Sequence, residues 1–220
     1  MWLVSTPRPT ETDDVVHDAR RALEWAAEAH GDGMCLTASF GDATLVHVAA
    51  STLPGIEVTL LDTGYLFAET EWFADTVADR YDITLRIVRP AADLERDVWQ
   101  TDQSACCAAR KVEPLNRALA DRSAWVTGLR RSDSAGRAST PLVHTDLMRS
   151  IVKVNPLAAW TDDTVAAYAA LHEFPEHPLA DRGYPSIGCW PCTRPVADDA
   201  DPRSGRWADT DKTECGLHVS

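Results

Sequence analysis

Short apolar runs, each followed by a tight turn and then an amphipathic segment, recur along this chain, and no other feature restricts its fold as strongly. Met34-Cys35-Leu36-Thr37-Ala38 stops at Ser39-Phe40-Gly41-Asp42, and a helical pattern carrying Leu45, Val46, Val48 and Ala49 continues to Pro54-Gly55. Val58-Thr59-Leu60-Leu61 enters Asp62-Thr63-Gly64, and Glu69 to Arg80 reads as an amphipathic helix with Trp72, Phe73 and Val77. Thr84 to Val88 gives a third strand before Pro90. Ahead of these units, Thr12 followed by Asp13-Asp14 predicts the N-cap and acidic first turn of a helix that ends near His30. Beyond them, Ala108 to Ala120 is helical with Pro114 kinking or dividing it, and Ala124 to Thr127 is a strand leaving through Gly128. Ile151 to Val154 is a further strand, and Thr161 caps a helix through Leu171. The alternation predicts an α/β fold, a mostly parallel sheet with helices on both faces. Ligands of such sheets bind beyond the carboxyl ends of the strands, where Ser39, Asp62 and Gly128 fall.

Prolines and glycines crowd the remainder, including Pro175, Pro178, Gly183, Pro185, Gly188, Pro191 and Pro195, so residues 174–220 are expected to be a loop-rich C-terminal segment packed on an α/β unit of residues 1–173. At 220 residues, 45% hydrophobic, the chain can bury a core of its own. The net charge of -13 opposes sequence-independent nucleic-acid binding, which draws on excess cationic charge. No apolar run approaches the roughly 20 residues that span a bilayer, and Met1-Trp2-Leu3-Val4-Ser5-Thr6-Pro7 lacks the pattern of a signal peptide. A cytoplasmic protein without membrane or nucleic-acid partners is the expectation.

In a reducing compartment the six cysteines read as metal ligands or reactive thiols before disulfides. Cys106-Cys107 with Cys189-Trp190-Pro191-Cys192 offers four thiolates in two tight clusters, enough to enclose one soft metal centre and tie the C-terminal segment to the sheet. A structural four-cysteine zinc site is the alternative, but adjacent cysteines are an unusual zinc half-site, which favours an iron–sulfur cluster. Lys111 lies four residues after Cys107 on the same predicted helix and therefore shares its face; an exposed lysine is the plainer reading. Cys35 sits inside a strand and is expected to be inert core.

Ser39-Phe40-Gly41, between a strand and a helix, can present a hydroxyl and backbone N–H groups to an anion, although an ordinary turn explains it equally well. Arg130-Arg131, Arg137, Arg203 and Arg206, all on predicted loops, can fork onto phosphate or sulfate oxygens. In an acidic chain they point to a small polyanionic ligand. Near the end of the sequence, Lys212-Thr213-Glu214-Cys215-Gly216-Leu217-His218 carries a thiol that Lys212 and His218 would stabilise as thiolate when the segment docks, and that Asp209, Asp211 and Glu214 would disfavour when it does not.

These motifs follow one another in the order seen in assimilatory adenylyl-sulfate (APS) reductases, which the chain resembles over nearly its whole length. The resemblance rests on Ser39-Phe40-Gly41, Leu61-Asp62-Thr63-Gly64, Cys106-Cys107 with Arg110-Lys111-Val112, Gly128-Leu129-Arg130-Arg131, Lys153-Val154-Asn155-Pro156-Leu157, Tyr184-Pro185-Ser186-Ile187-Gly188-Cys189 with Cys192, Arg206-Trp207 and Glu214-Cys215-Gly216-Leu217-His218. It implies an adenine nucleotide alpha hydrolase-like, PP-loop-related fold that makes the α/β unit nucleotide-binding. It also implies a [4Fe-4S] cluster on Cys106, Cys107, Cys189 and Cys192, and catalysis by Cys215. That cysteine would take the sulfur of APS, release AMP and become an S-sulfocysteine, from which thioredoxin would liberate sulfite. Substrate contacts implied in the same way fall on Ser39, Gly41, Leu61, Thr63, Lys111, Gly128, Arg137, Arg203, Arg206 and His218. Two alternatives stand beside it: a reductase for the 3′-phosphorylated substrate (PAPS), and a zinc-stabilised nucleotide-binding or redox-sensing module without catalysis. The loop reading Asp42-Ala43-Thr44 departs from the family's Ser-Phe-Gly-x-Glu-Asp continuation, as does Ser132 to Arg137 from its usual arginine loop.

Overall fold

Strand and helix alternate as the apolar pattern demands. In the computed structural model, which describes residues 7–197, 200–208, 210, 212 and 214–218, the chain runs α1 (Val15–His30), β1 (Met34–Thr37), α2 (Thr44–Thr52), β2 (Glu57–Leu61), α3 (Ala68–Tyr81) and β3 (Thr84–Val88). After α4 (Gln103–Cys107) and α5 (Glu113–Leu119) come β4 (Ala124–Val126), β5 (Val143–Asp146), β6 (Ile151–Val154) and α6 (Asp162–Leu171). The sheet order is β3-β2-β1-β4-β6-β5, and every pair is parallel except β5 with β6. Strand order reverses between β1 and β4, the point at which open α/β sheets leave a crevice for ligands. No helix among the described residues is long and apolar enough to cross a membrane. The expected opening segment Met1 to Thr6 lies outside the described residues.

Side-chain alternation gives the sheet two unlike faces. Leu36, Val58, Leu60, Val126 and Val154 point to the larger core, where Ala22, Leu23 and Ala26 of α1, Val46 and Ala49 of α2, and Phe73 and Val77 of α3 cover them. Cys35, Trp125 and Ile151 point the other way and pack in a smaller core on Leu115 and Leu119 of α5, with Leu61 and Leu217 at the edge. Helices do cover both faces, but the second has one helical rod, and Leu217 extends the cover.

Several local details differ from the sequence reading. The cap of α1 is Asp14, whose carboxylate accepts from His17 N, while Thr12 turns its N–H and hydroxyl to the buried Asp18 carboxylate. The rod on the second face starts earlier than expected, at Asp102, whose side chain caps Ser104 and Ala105. Pro114 divides the rod in kind, as expected: lacking an N–H for the turn before it, the chain widens to a π turn over Ala108–Val112 and resumes as α helix with Pro114 in the first turn. Finally β5, an edge strand of Val143, His144, Thr145 and Asp146, was not expected at all.

Candidate active site

The turns that leave β1, β2 and β4 supply one wall of a cleft of about 660 Å³. Phe40 buries its ring in the core with its backbone in the left-handed region (φ 53), and this pins Ser39 and Gly41 at the strand end. Asp42 turns its carboxylate back to accept from Thr44 N at 2.7 Å, which engages its charge at the start of α2. Thr63, buried after β2, receives Tyr65 N on its hydroxyl and lies 3.3 Å from Cys189 Sγ. Gly128 follows β4 on the same rim.

The opposite wall belongs to the C-terminal segment, which among the described residues has only short helical turns and one isolated bridge, Thr193 with Arg206. Trp190 N donates to Tyr65 O, His177 and Thr70 share a buried hydrogen bond, and Trp207 N donates to Cys192 O. Arg206 is half-buried beside Gly188; a side chain at 188 would occupy the place of its guanidinium. It donates to Ser186 Oγ and Ile187 O, and its Nε has no partner among the described residues. Gly216, in a left-handed turn at φ 83, reverses the chain after Cys215 and lets Leu217 reach the second core.

Every residue expected to contact substrate lines this one cleft, and so does Cys215. Lys111 is not a surface lysine: it borders both the cleft and a small cavity lined by Cys106, Cys107, Cys189 and Cys192. Burial alone would favour its neutral form, but the sulfurs of Cys189, Cys215 and Cys107 hold its ammonium above the ordinary value. Burial also pushes the thiols of Cys106 and Cys107 up and takes Cys192 to about 11, with neighbouring thiols adding to the rise for Cys106 and Cys192. Such a cavity resists four negative sulfurs on its own, and a multivalent cationic centre would reverse that balance. All six cysteines are free. Among the described residues no group of three or more His, Cys, Asp or Glu side chains closes tightly on a single ion.

The arginines are already engaged. Arg137 grips Glu214 with two parallel bonds of 2.8 and 2.9 Å and holds Asp133 at 2.7 Å, and Arg203 approaches Glu214 at 3.6 Å. Arg130 pairs with Asp133 and Asp162, and Arg131 turns away to form a fork on Glu11. The tail cations also differ from expectation. Lys212 donates to Gln103 O and Ser104 Oγ at the start of α4. His218 is held well below the usual histidine range, by burial first and then by Lys153, Arg137, Arg149 and Arg203, so it is neutral. The cations facing Cys215 are instead Lys111 and Arg206. Asp209 and Asp211 lie outside the described residues. Cys35 is buried against Thr59 on the second sheet face, with its thiol raised by burial, in keeping with inert core.

The phosphoadenosine phosphosulfate reductase domain matches residues 33–195, close to three quarters of the sequence. The chain belongs to the phosphoadenosine phosphosulfate reductase family. It is 42% identical over 219 residues to the adenosine 5′-phosphosulfate reductase of Rhodococcus opacus (strain B4), covering 92% of this chain and 89% of that relative. The crystal structure of phosphoadenylyl-sulfate reductase from Candida auris, a phosphate complex, is similar with a TM-score of 0.70 at 26% identity, over 84% of this chain and 98% of that one. Candida glabrata FMN adenylyltransferase shares the fold alone, with a TM-score of 0.61 at 16% identity over 88% and 70% of the two chains. The expected adenine nucleotide alpha hydrolase-like, PP-loop-related fold is borne out. Within this reductase fold, sequence reasoning passed over two residues beneath the tail, Trp125, which lines the cleft, and Lys153, buried behind it. Trp125 was only an apolar residue of a short strand, and Lys153 only a member of a motif, yet both lie under His218. A lysine flanked by Ile151, Val152 and Val154 in a strand with neighbours on both sides was the available signal.

Proposed function

We propose that this chain is an adenylyl-sulfate reductase of sulfate assimilation, reducing APS to sulfite and AMP in the cytoplasm with a dithiol protein of the thioredoxin type as reductant. The observation that carries the reading is the meeting, in one cleft, of Cys215 with the strand-end turns at Ser39, Thr63 and Gly128 and with the cations Lys111 and Arg206. The names of the curated relatives support APS as the substrate. In this reading the strand-end wall takes the nucleotide, and the phosphate exchanges with Glu214 for Arg137 and Arg203. Cys215 attacks as thiolate: an S–S bond forms to the sulfonyl sulfur, the bond from that sulfur to the phosphate oxygen breaks, and AMP leaves with the electron pair. Lys111 and Arg206 stabilise the charge that shifts onto the leaving oxygen and the transferred group. The dithiol then displaces sulfite, returning Cys215 as thiol and becoming a disulfide, so two electrons come from thiols.

Cys106, Cys107, Cys189 and Cys192 fit a [4Fe-4S] cluster by donor type and by their shared cavity. When bound, such a cluster supplies positive charge among these sulfurs and ties residues 106–107 to residues 189–192. The C-terminal segment then packs on the α/β unit as one body with it.

Incubation with APS and no reductant, followed by mass spectrometry, is expected to add the mass of SO₃ to the Cys215 peptide and to release AMP. Cys215→Ser should bind APS and form no adduct. An adduct on Cys35, or none on wild type, would overturn the assignment. Anaerobically purified protein should contain about four iron and four sulfide per chain; one zinc without sulfide would replace the cluster with a structural metal.

A further inference from the structure

We propose that Lys153 is a positioning residue for the tail: its buried ammonium donates to Nδ1 of His218, fixes the tautomer with the proton on Nε2, and with the face of Trp125 presents that N–H to the cleft. Lys153 is only 3% exposed, in a strand paired on both sides, where a charged side chain is costly unless a specific partner holds it. Its Nζ lies 3.3 Å from His218 Nδ1 and 4.4 Å above the Trp125 ring. Trp125 stacks on His218 at 5.2 Å and 15° and is itself fixed by its indole N–H to Thr37 Oγ1 at 2.9 Å. Asp146, the nearest acid, is taken by Arg149 at 3.0 Å.

An ammonium has three donors and no acceptor, so Nδ1 facing it must be the bare nitrogen of a neutral imidazole. The proton then sits on Nε2, the nitrogen left for the cleft that His218 lines. Burial brings Lys153 down to about 8, which leaves it mostly charged at neutral pH. A second positive charge on His218 would face Lys153, Arg137, Arg149 and Arg203 together, so this histidine serves as a neutral donor rather than a cation or a proton shuttle. The neutral donor suits an anionic oxygen of the substrate; this last step rests on the reading of the cleft as an APS site.

The test uses holoprotein labelled with ¹⁵N in histidine, kept anaerobic, with His218 assigned by comparison with His218→Asn. Long-range ¹H–¹⁵N correlation should show His218 with a bare Nδ1 and a protonated Nε2 in wild type and in Lys153→Arg. Lys153→Met should lose this fixed pattern. It should also slow single-turnover S-sulfocysteine formation at saturating APS by roughly 10-fold or more, the scale seen when the orienting partner of a functional histidine is removed. A wild-type proton on Nδ1, or an unchanged tautomer or rate in Lys153→Met, would overturn the proposal. The wild-type measurement needs no variant to fold. If wild type forms no adduct with APS, the functional reading fails while the tautomer still judges Lys153.

Discussion

The two walls of the cleft are held by different forces. The strand-end wall hangs from parallel strands whose inward side chains are sealed in the larger core, with Val58, Val126 and Val154 fully buried. The tail wall has no comparable apolar core of its own. Leu179 and Trp207 are buried and Leu217 reaches the small second core, while polar contacts carry much of the rest: Trp190 N on Tyr65 O, His177 with Thr70, Arg137 on Glu214, Lys212 on the start of α4, and His218 on Trp125 and Lys153. Apolar burial is indifferent to a charged ligand, whereas ion pairs are exchangeable for one. A wall of the first kind can template a nucleotide, and a wall of the second kind can release and re-form as the anion arrives and leaves. Cys215, the proposed nucleophile, sits on the second.

Leu23→Ala should produce the largest effect if this contrast is right. Leu23 of α1 is fully buried in the larger core, far from the tail, and its truncation should remove about 3 kcal/mol of global stability, read as a lower urea midpoint. Tail residues should keep their protection relative to the body. Glu214→Gln should do the reverse. Arg137 keeps Asp133 but loses a charged fork, a contact of about 1.5–3 kcal/mol. Amide exchange around residues 214–218 should accelerate by roughly 10-fold or more while the urea midpoint stays put. A midpoint that fell as far as that of Leu23→Ala would show that tail and body unfold as one unit and would break the comparison.

The body was far more legible in the sequence than the tail, for reasons that the same contrast explains. β3, β6 and α6 begin and end where punctuated apolar runs or a capping threonine place them, because local chemistry fixes each boundary. β5 escaped notice because an edge strand needs apolar residues only where it is covered, and Val143-His144-Thr145-Asp146 reads as polar turn. The π turn before Pro114 is a response of the whole rod to one missing donor, and the Asp102 cap was the overlooked sign of where the rod starts. Glu214 with Arg137 and His218 with Lys153 join residues far apart in sequence, and no periodicity encodes such pairs. The cysteine pairs and the tail thiol were legible because few other uses exist for those residues at that spacing.

A matched pair of glycines offers the smallest and most discriminating test. Gly55, in the turn between α2 and β2, has φ 75, and Gly216, after Cys215, has φ 83. Around Gly55 there is open space, and around Gly216 the nearest atom to an added Cβ is Val112 Cγ2 at 3.6 Å, an ordinary contact. Alanine at either place therefore meets the same penalty, about 1–2 kcal/mol for a left-handed backbone with a Cβ, and little else. The two walls should register it differently. Gly55→Ala strains a turn that must form for β2 to pair, so the loss should appear in the global urea midpoint and leave the adduct rate on Cys215 unchanged. In Gly216→Ala the same strain can be relieved by undocking the tail, so the midpoint should hold. Exchange near residue 216 should rise and S-sulfocysteine formation should slow by roughly 5- to 30-fold, the factor that corresponds to this energy. Equal midpoint losses in the two variants would mean that tail docking is part of the cooperative fold, and that Glu214 and Lys153 hold the tail as firmly as the core holds the strands.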